Sequence, residues 1–206
     1  SFYTTYGTAA EGVRFAEKTE KLRSQKEDQT RKDTAGQEKR LTEKVALALQ
    51  RAVKFYRTNV SSHGGYLWRY ASDFTEREGE LPASATTVWV QPPGTPSVGL
   101  AYLKVYELTG ADDYLDAVRE TALALVAGQL ESGGWDYRIE FATPEREKYA
   151  YRVETPARNK GARNVTTLDD NTTQAALSFL MQTDRALGFG DPAIHESVEF
   201  ALSSLL

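Results

Sequence analysis

Two glycine-glycine-aromatic corners, His63-Gly64-Gly65-Tyr66 and Ser132-Gly133-Gly134-Trp135, constrain this chain more than any other feature. Each follows a stretch with helical periodicity and leads through a long connection into another such stretch, and self-similarity of this kind marks a repeat architecture. Upstream of the first corner, Val45, Ala48, Leu49, Ala52, Val53 and Tyr56 fall on one helical face. Upstream of the second, Asp112 or Asp113 caps a helix whose stripe is Tyr114, Ala117, Val118, Thr121, Ala122 and Leu125. A third helix of this type starts at Asp191-Pro192 and carries Ile194, Val198, Ala201, Leu202 and Leu205.

Downstream of each corner come Thr86-Thr87-Val88 and Thr166-Thr167-Leu168, read as equivalent, and then a helix apolar on nearly every side. These are Val98 to Leu108, stopped by Gly110, and Ala175 to Leu187, stopped by Gly188. A helix apolar all round needs neighbours on all sides, so these are expected to be inner members and the striped helices outer ones. The third outer helix ends at Leu205-Leu206 without a corner of its own. The expected fold is therefore all-α, an incomplete (α/α) toroid of alternating inner and outer helices with long loops, occupying residues 42–206.

Residues 1–41 differ. After an aromatic start (Phe2, Tyr3, Tyr6) the chain is dense in Lys, Glu, Arg, Gln and Asp and has no heptad seam. Such a segment can form a solvated helix supported by charge pairs four apart, with Gly36 a weak point, or can remain without structure. It is also where a protein partner would dock. Net charge is −4, which argues against a nucleic-acid partner. No stretch approaches the roughly 20 apolar residues that span a bilayer, so no membrane partner is expected. The beginning, Ser-Phe-Tyr, has neither Met nor a leader pattern and reads as a mature form or an excised piece. The absence of cysteine excludes disulfides and thiolate metal sites.

The two long connections are where function is expected, because long loops in compact domains are commonly functional. The first carries Tyr66, Trp68, Tyr70, Phe74 and Trp89, with Arg69, Asp73 and Gln91 among them. Rings of this kind bind the C–H faces of sugars, or else cap the core beneath a loop. The second carries Arg138, Arg146, Lys148, Arg152, Arg158, Lys160 and Arg163, which suits an anionic ligand or a solvated loop equally. At its end, Asp169-Asp170-Asn171 opens a helix: two carboxylates and an amide there can ligate calcium, hold sugar hydroxyls, or simply cap the helix. His63 and His195 show no zinc spacing.

The segment GGWDYRIEF (Gly133 to Phe141), followed by TLDDNTTQAALSFL (Thr167 to Leu180), resembles the pectate lyases of polysaccharide lyase family 10. The resemblance covers roughly Leu41 to Leu206. It implies a toroid acting on polygalacturonate, an acidic polysaccharide, by calcium-assisted β-elimination, in a secreted or periplasmic bacterial protein. By motif, Glu140, Asp169 and Asp170 would be metal ligands. Trp68, Arg69, Asp73, Trp89, Gln91, Trp135, Arg138 and Asn171 would contact substrate. Tyr137 and Arg138 depart from the residue types expected after Gly-Gly-Trp, and Asp170 is an additional carboxylate. The family's arginine base is expected to lie beyond this chain, so little activity is expected of this piece alone. The alternative is a non-catalytic carbohydrate-binding or assembly module on the same fold.

Overall fold

The computed structural model describes residues 9–154 and 161–205. The aromatic start (Phe2, Tyr3, Tyr6), Arg158, Lys160 and Leu206 lie outside the described residues. The chain is 62% helix and 9% strand, which makes it all-α in class. It divides into two compact units between Arg51 and Ala52. Among the described residues no helix is long and apolar enough to cross a membrane.

Helix α1 runs from Ala9 to Phe55 and passes through Gly36 without interruption. Pairs one turn apart support it, as between Arg23 and Glu27 (3.3 Å) and between Gln29 and Asp33 (2.9 Å). Of the six stripe residues expected to be buried here, only Val53 is; Val45 and Tyr56 remain exposed.

The second unit is built on two helical hairpins. Helix α2 (Thr95–Thr109) ends at Gly110 in the left-handed conformation and turns at once into α3 (Asp112–Ala127). Helix α4 (Thr172–Ala186) leads through Gly188, also left-handed, into α5 (Pro192–Leu205). Both glycine stops fall where the sequence places them. Asp191 accepts from the backbone N–H groups of Ala193 and Ile194, a side-chain cap on α5. In α3, by contrast, Asp112 and Asp113 sit in the first turn and Ala111 holds the cap position, so the carboxylates act on the helix dipole rather than as caps.

All six stripe residues of α3 are buried, with Ala124 and Val126 in addition. Helix α3 packs on α2, α4 and α5, and α2 packs on α4, where the Phe179 ring lies against Gly99. The expected order of burial is kept only in part: α3, read as an outer helix, is as enclosed as the inner α4 and more enclosed than the inner α2. Leu108 of α2 and Met181 of α4, both expected to be covered, are exposed at 74% and 45%.

The two corners are equivalent in detail. Gly64 (φ 86°) and Gly133 (φ 93°) take the conformation only glycine adopts freely. Thr95 Oγ1, at the start of α2, bonds both N–H (3.0 Å) and C=O (3.2 Å) of Tyr66; Thr173 Oγ1, at the start of α4, does the same for Trp135 (3.1 and 3.3 Å). Trp89 N–H reaches the Tyr66 carbonyl as Thr167 N–H reaches that of Trp135. This pairs Trp89 with Thr167, not Val88 with Leu168, and corrects the sequence equivalence by two positions.

Short strands, not anticipated in the sequence, tie the loops together. β1 (Arg69–Tyr70) pairs with β2 (Arg77–Glu78), and β3 (Thr87–Trp89) pairs antiparallel with β4 (Arg138–Glu140). The β3–β4 register sets Thr87 opposite Glu140 and Trp89 opposite Arg138, which joins the first long loop to the second. Gln129, fully buried between α3 and the second corner, donates to the carbonyls of Gly133 (3.0 Å) and Ser197 (2.9 Å) and accepts from Arg152 and from the Ser197 hydroxyl.

Candidate functional site

The β3–β4 pairing brings Trp89, Tyr137 and Arg138 to the wall of one cavity of about 390 Å³, completed by Glu80, Leu81, Asp136, Tyr149 and Arg163. Trp89 Nε1 donates to Gln91 Oε1 (3.1 Å), and Gln91 Nε2 donates to Asp170 Oδ2 (3.0 Å), so residues before two equivalent helices meet across 79 positions of sequence. Tyr137 Oη donates to Asp169 Oδ2 (3.3 Å). Partial desolvation, and then the Asp169 carboxylate, push the Tyr137 phenol above its ordinary value. Trp68 stands edge-on to Trp89 (6.0 Å between centroids) and donates to the Gln91 carbonyl (2.9 Å).

Helix capping does not account for Asp169-Asp170-Asn171. Asp170 (φ 50°) and Asn171 (φ 60°) are both left-handed, and Asn171 makes no side-chain cap bond to α4. Their carboxylate neighbours are instead used by Gln91 and Tyr137, as described. Left-handed backbone costs an L-residue roughly 1–2 kcal/mol, least for Asp and Asn with their local hydrogen bonding.

The remaining candidates are distributed. Glu140 is buried in the β3–β4 ladder, where its carboxylate accepts from Thr87 Oγ1 (2.7 Å) and pairs with Arg138 (3.4 Å). It is not grouped with Asp169 and Asp170; among the described residues no cluster of three His, Cys, Asp or Glu side chains is arranged to hold a metal. Trp135 is fully buried, its Nε1 bound to the Leu125 carbonyl (2.8 Å), so it is a core residue that no ligand touches. Arg69 pairs with Glu78 across β1–β2 and lines a separate open groove, and Asp73 forms a local turn with Thr75. Asn171 is exposed beside Asp170.

The arginines of the second loop, read in the sequence as an anion site or a solvated face, are mostly fasteners. Arg146 donates to the carbonyls of Glu140 (2.8 Å) and Ala127 (3.1 Å), pairs with Glu154 and lies over the Tyr151 ring at 4.4 Å. Arg152 reaches Gln129 and Glu196. Lys148 pairs with Glu145. Among the described cations of this loop, only Arg138 and Arg163 line the cavity. Sequence reasoning did not single out Tyr149, Asp136 or Arg163 individually, and it marked Tyr137 only as a departure from the expected motif; the alternation of Tyr137 and Arg138 in a short strand was the available signal. No protein-family model matches this chain, and no curated protein or solved structure matches it significantly.

Proposed function

We propose that the second unit is a lyase-like domain that binds an acidic polysaccharide of the polygalacturonate type in the Trp89–Tyr137 cavity, and that its chemistry is β-elimination on the (α/α) toroid plan. One observation carries the reading: Gln91 and Asp170, from the segments that lead into α2 and α4, meet beside a cavity walled by Trp89 and Tyr137. Aromatic walls suit sugar C–H faces, and carboxylates, amide and guanidinium around them suit hydroxyls and a uronate carboxylate. The order of the GGWDYRIEF and TLDDNTTQAALSFL motifs supplies the link to elimination.

Calcium fits this site only in part. Glu140 is engaged by Thr87 and Arg138, which leaves Asp169 and Asp170 as oxygen donors, with the sugar's own carboxylate needed to complete a set. No step is routed through the ion. In β-elimination a base removes the proton next to the uronate carboxylate, and nearby cations stabilise the developing enolate. The base is assigned to no residue here. The described cations of the second loop are held in ion pairs or hydrogen bonds, which favours a second reading, a non-catalytic carbohydrate-binding module.

The test is titration of the protein with polygalacturonate oligomers, with and without calcium, while absorbance from unsaturated uronate is followed. Binding with product supports the lyase. Binding without product transfers the case to the second reading, and no binding of any uronate oligomer refutes both.

A further inference from the structure

Arg138 and Arg163 differ from the other arginines of the second loop in how they are held. Arg163 donates from Nε to Asp136, and Arg138 donates from Nε to the Tyr149 hydroxyl (3.2 Å) with Glu140 at 3.4 Å. Neither guanidinium has a hydrogen-bond partner for its two terminal nitrogens among the described residues, and both line the cavity. The anchors are firm, because the Asp136 and Glu140 side chains are only 6% and 5% exposed while Arg163 and Arg138 are 51% and 32% exposed. The main chains are fixed as well: Arg138 sits in β4 opposite Trp89, and Arg163 exchanges backbone hydrogen bonds with Lys148 (2.7 Å) and Ala150 (3.0 Å).

We propose that Arg138 and Arg163 are specificity-determining residues whose free terminal N–H groups read the carboxylate of a uronate sugar seated between Trp89, Tyr137 and Tyr149. This rests on the saccharide-binding reading above and adds the group that is recognised. Tying a guanidinium by its Nε leaves the outer edge of its planar fork to accept a ligand, and such forks match carboxylates with two parallel hydrogen bonds. Because the buried carboxylates hold both forks in place beforehand, little side-chain entropy is lost on binding. A methyl ester removes the charge and one strong acceptor, and it therefore loses the charge-assisted bonds.

The experiment compares affinity for trigalacturonate and for its methyl ester, using the whole chain and the variants Arg163→Lys and Arg138→Lys. Lysine keeps the charge and removes the planar fork. The wild-type protein is expected to prefer the acid by about 10- to 100-fold, the range for hydrogen bonds to charged groups. Each lysine variant is expected to lose about tenfold on the acid and nothing on the ester, with an unchanged thermal midpoint for Arg163→Lys. If the protein binds acid and ester equally, or if both variants retain the preference, the fork is refuted and the saccharide reading stands. If it binds neither ligand, both are refuted.

Discussion

Replacing Gly64 by alanine tests the corner on which the repeat depends. At φ 86° an added Cβ would lie 2.4 Å from the carbonyl oxygen of Glu120 in α3, a backbone atom held within a helix packed on three others. The left-handed conformation alone costs about 1–2 kcal/mol for an L-residue. Forcing a methyl group into a packed contact adds about 1–3 kcal/mol. The expected loss is therefore about 2–5 kcal/mol. Gly110 supplies the control: its φ is 65° and a Cβ there meets nothing within 4 Å, so Gly110→Ala is expected to lose only the conformational part, about 1 kcal/mol. Gly133, the equivalent corner, falls between, because its Cβ meets the side chain of Ser204 near the end of α5, where the helix can give. Urea denaturation of the three variants reads the series as midpoints at constant slope. Should Gly64→Ala lose no more than Gly110→Ala, the corner is not packed against α3 in the manner described.

Two further expectations follow from buried polar groups. Gln129→Leu removes four hydrogen bonds and leaves the Gly133 and Ser197 carbonyls and the Ser197 hydroxyl unsatisfied, so stability is expected to fall by about 3 kcal/mol or more; a loss under about 1 kcal/mol by urea denaturation would show that water replaces the side chain. His195 Nδ1 lies 2.8 Å from the buried Asp184 carboxylate, whose hydrogen bond raises the imidazole above its ordinary 6.5. A raised folded value means that this pairing stabilises fully below 6.5 and is lost as pH climbs through the raised value. Stability is therefore expected to decline across that window and to flatten in His195→Gln; an NMR titration of the ring at or below 6.5 would contradict it.

The helices were legible because their signals are local. The buried stripe of α3, the stop glycines of α2 and α4 and the Asp191 cap each depend on residues within a few turns of one another. What escaped the sequence depends on distant partners. β3 and β4 are three residues each, too short to show alternation, and they form because Thr87–Trp89 meets Arg138–Glu140 across two loops. The arginine cluster looked like an anion site because Glu154, Gln129 and Glu196, its fasteners, carry no mark in the sequence of being near. Trp135 looked like a ligand contact because a turn aromatic is often exposed; here the corner folds it under α3. The site was half visible: Trp89, Gln91, Arg138 and the Asp169-Asp170 pair do gather at one rim, whereas Glu140 is drawn into the ladder and Arg69 and Asp73 belong to the β1–β2 region.

The chain has three tryptophans, and their indole N–H groups give a direct readout of where a saccharide binds. Trp68 and Trp89 donate to Gln91 at the rim, whereas Trp135 donates to Leu125 inside the core. In a two-dimensional NMR titration with trigalacturonate, the Trp68 and Trp89 indole signals are predicted to shift in a saturable way while Trp135 stays in place. Movement of Trp135 alone, or saturable binding with all three signals unmoved, would place the ligand elsewhere and contradict the account.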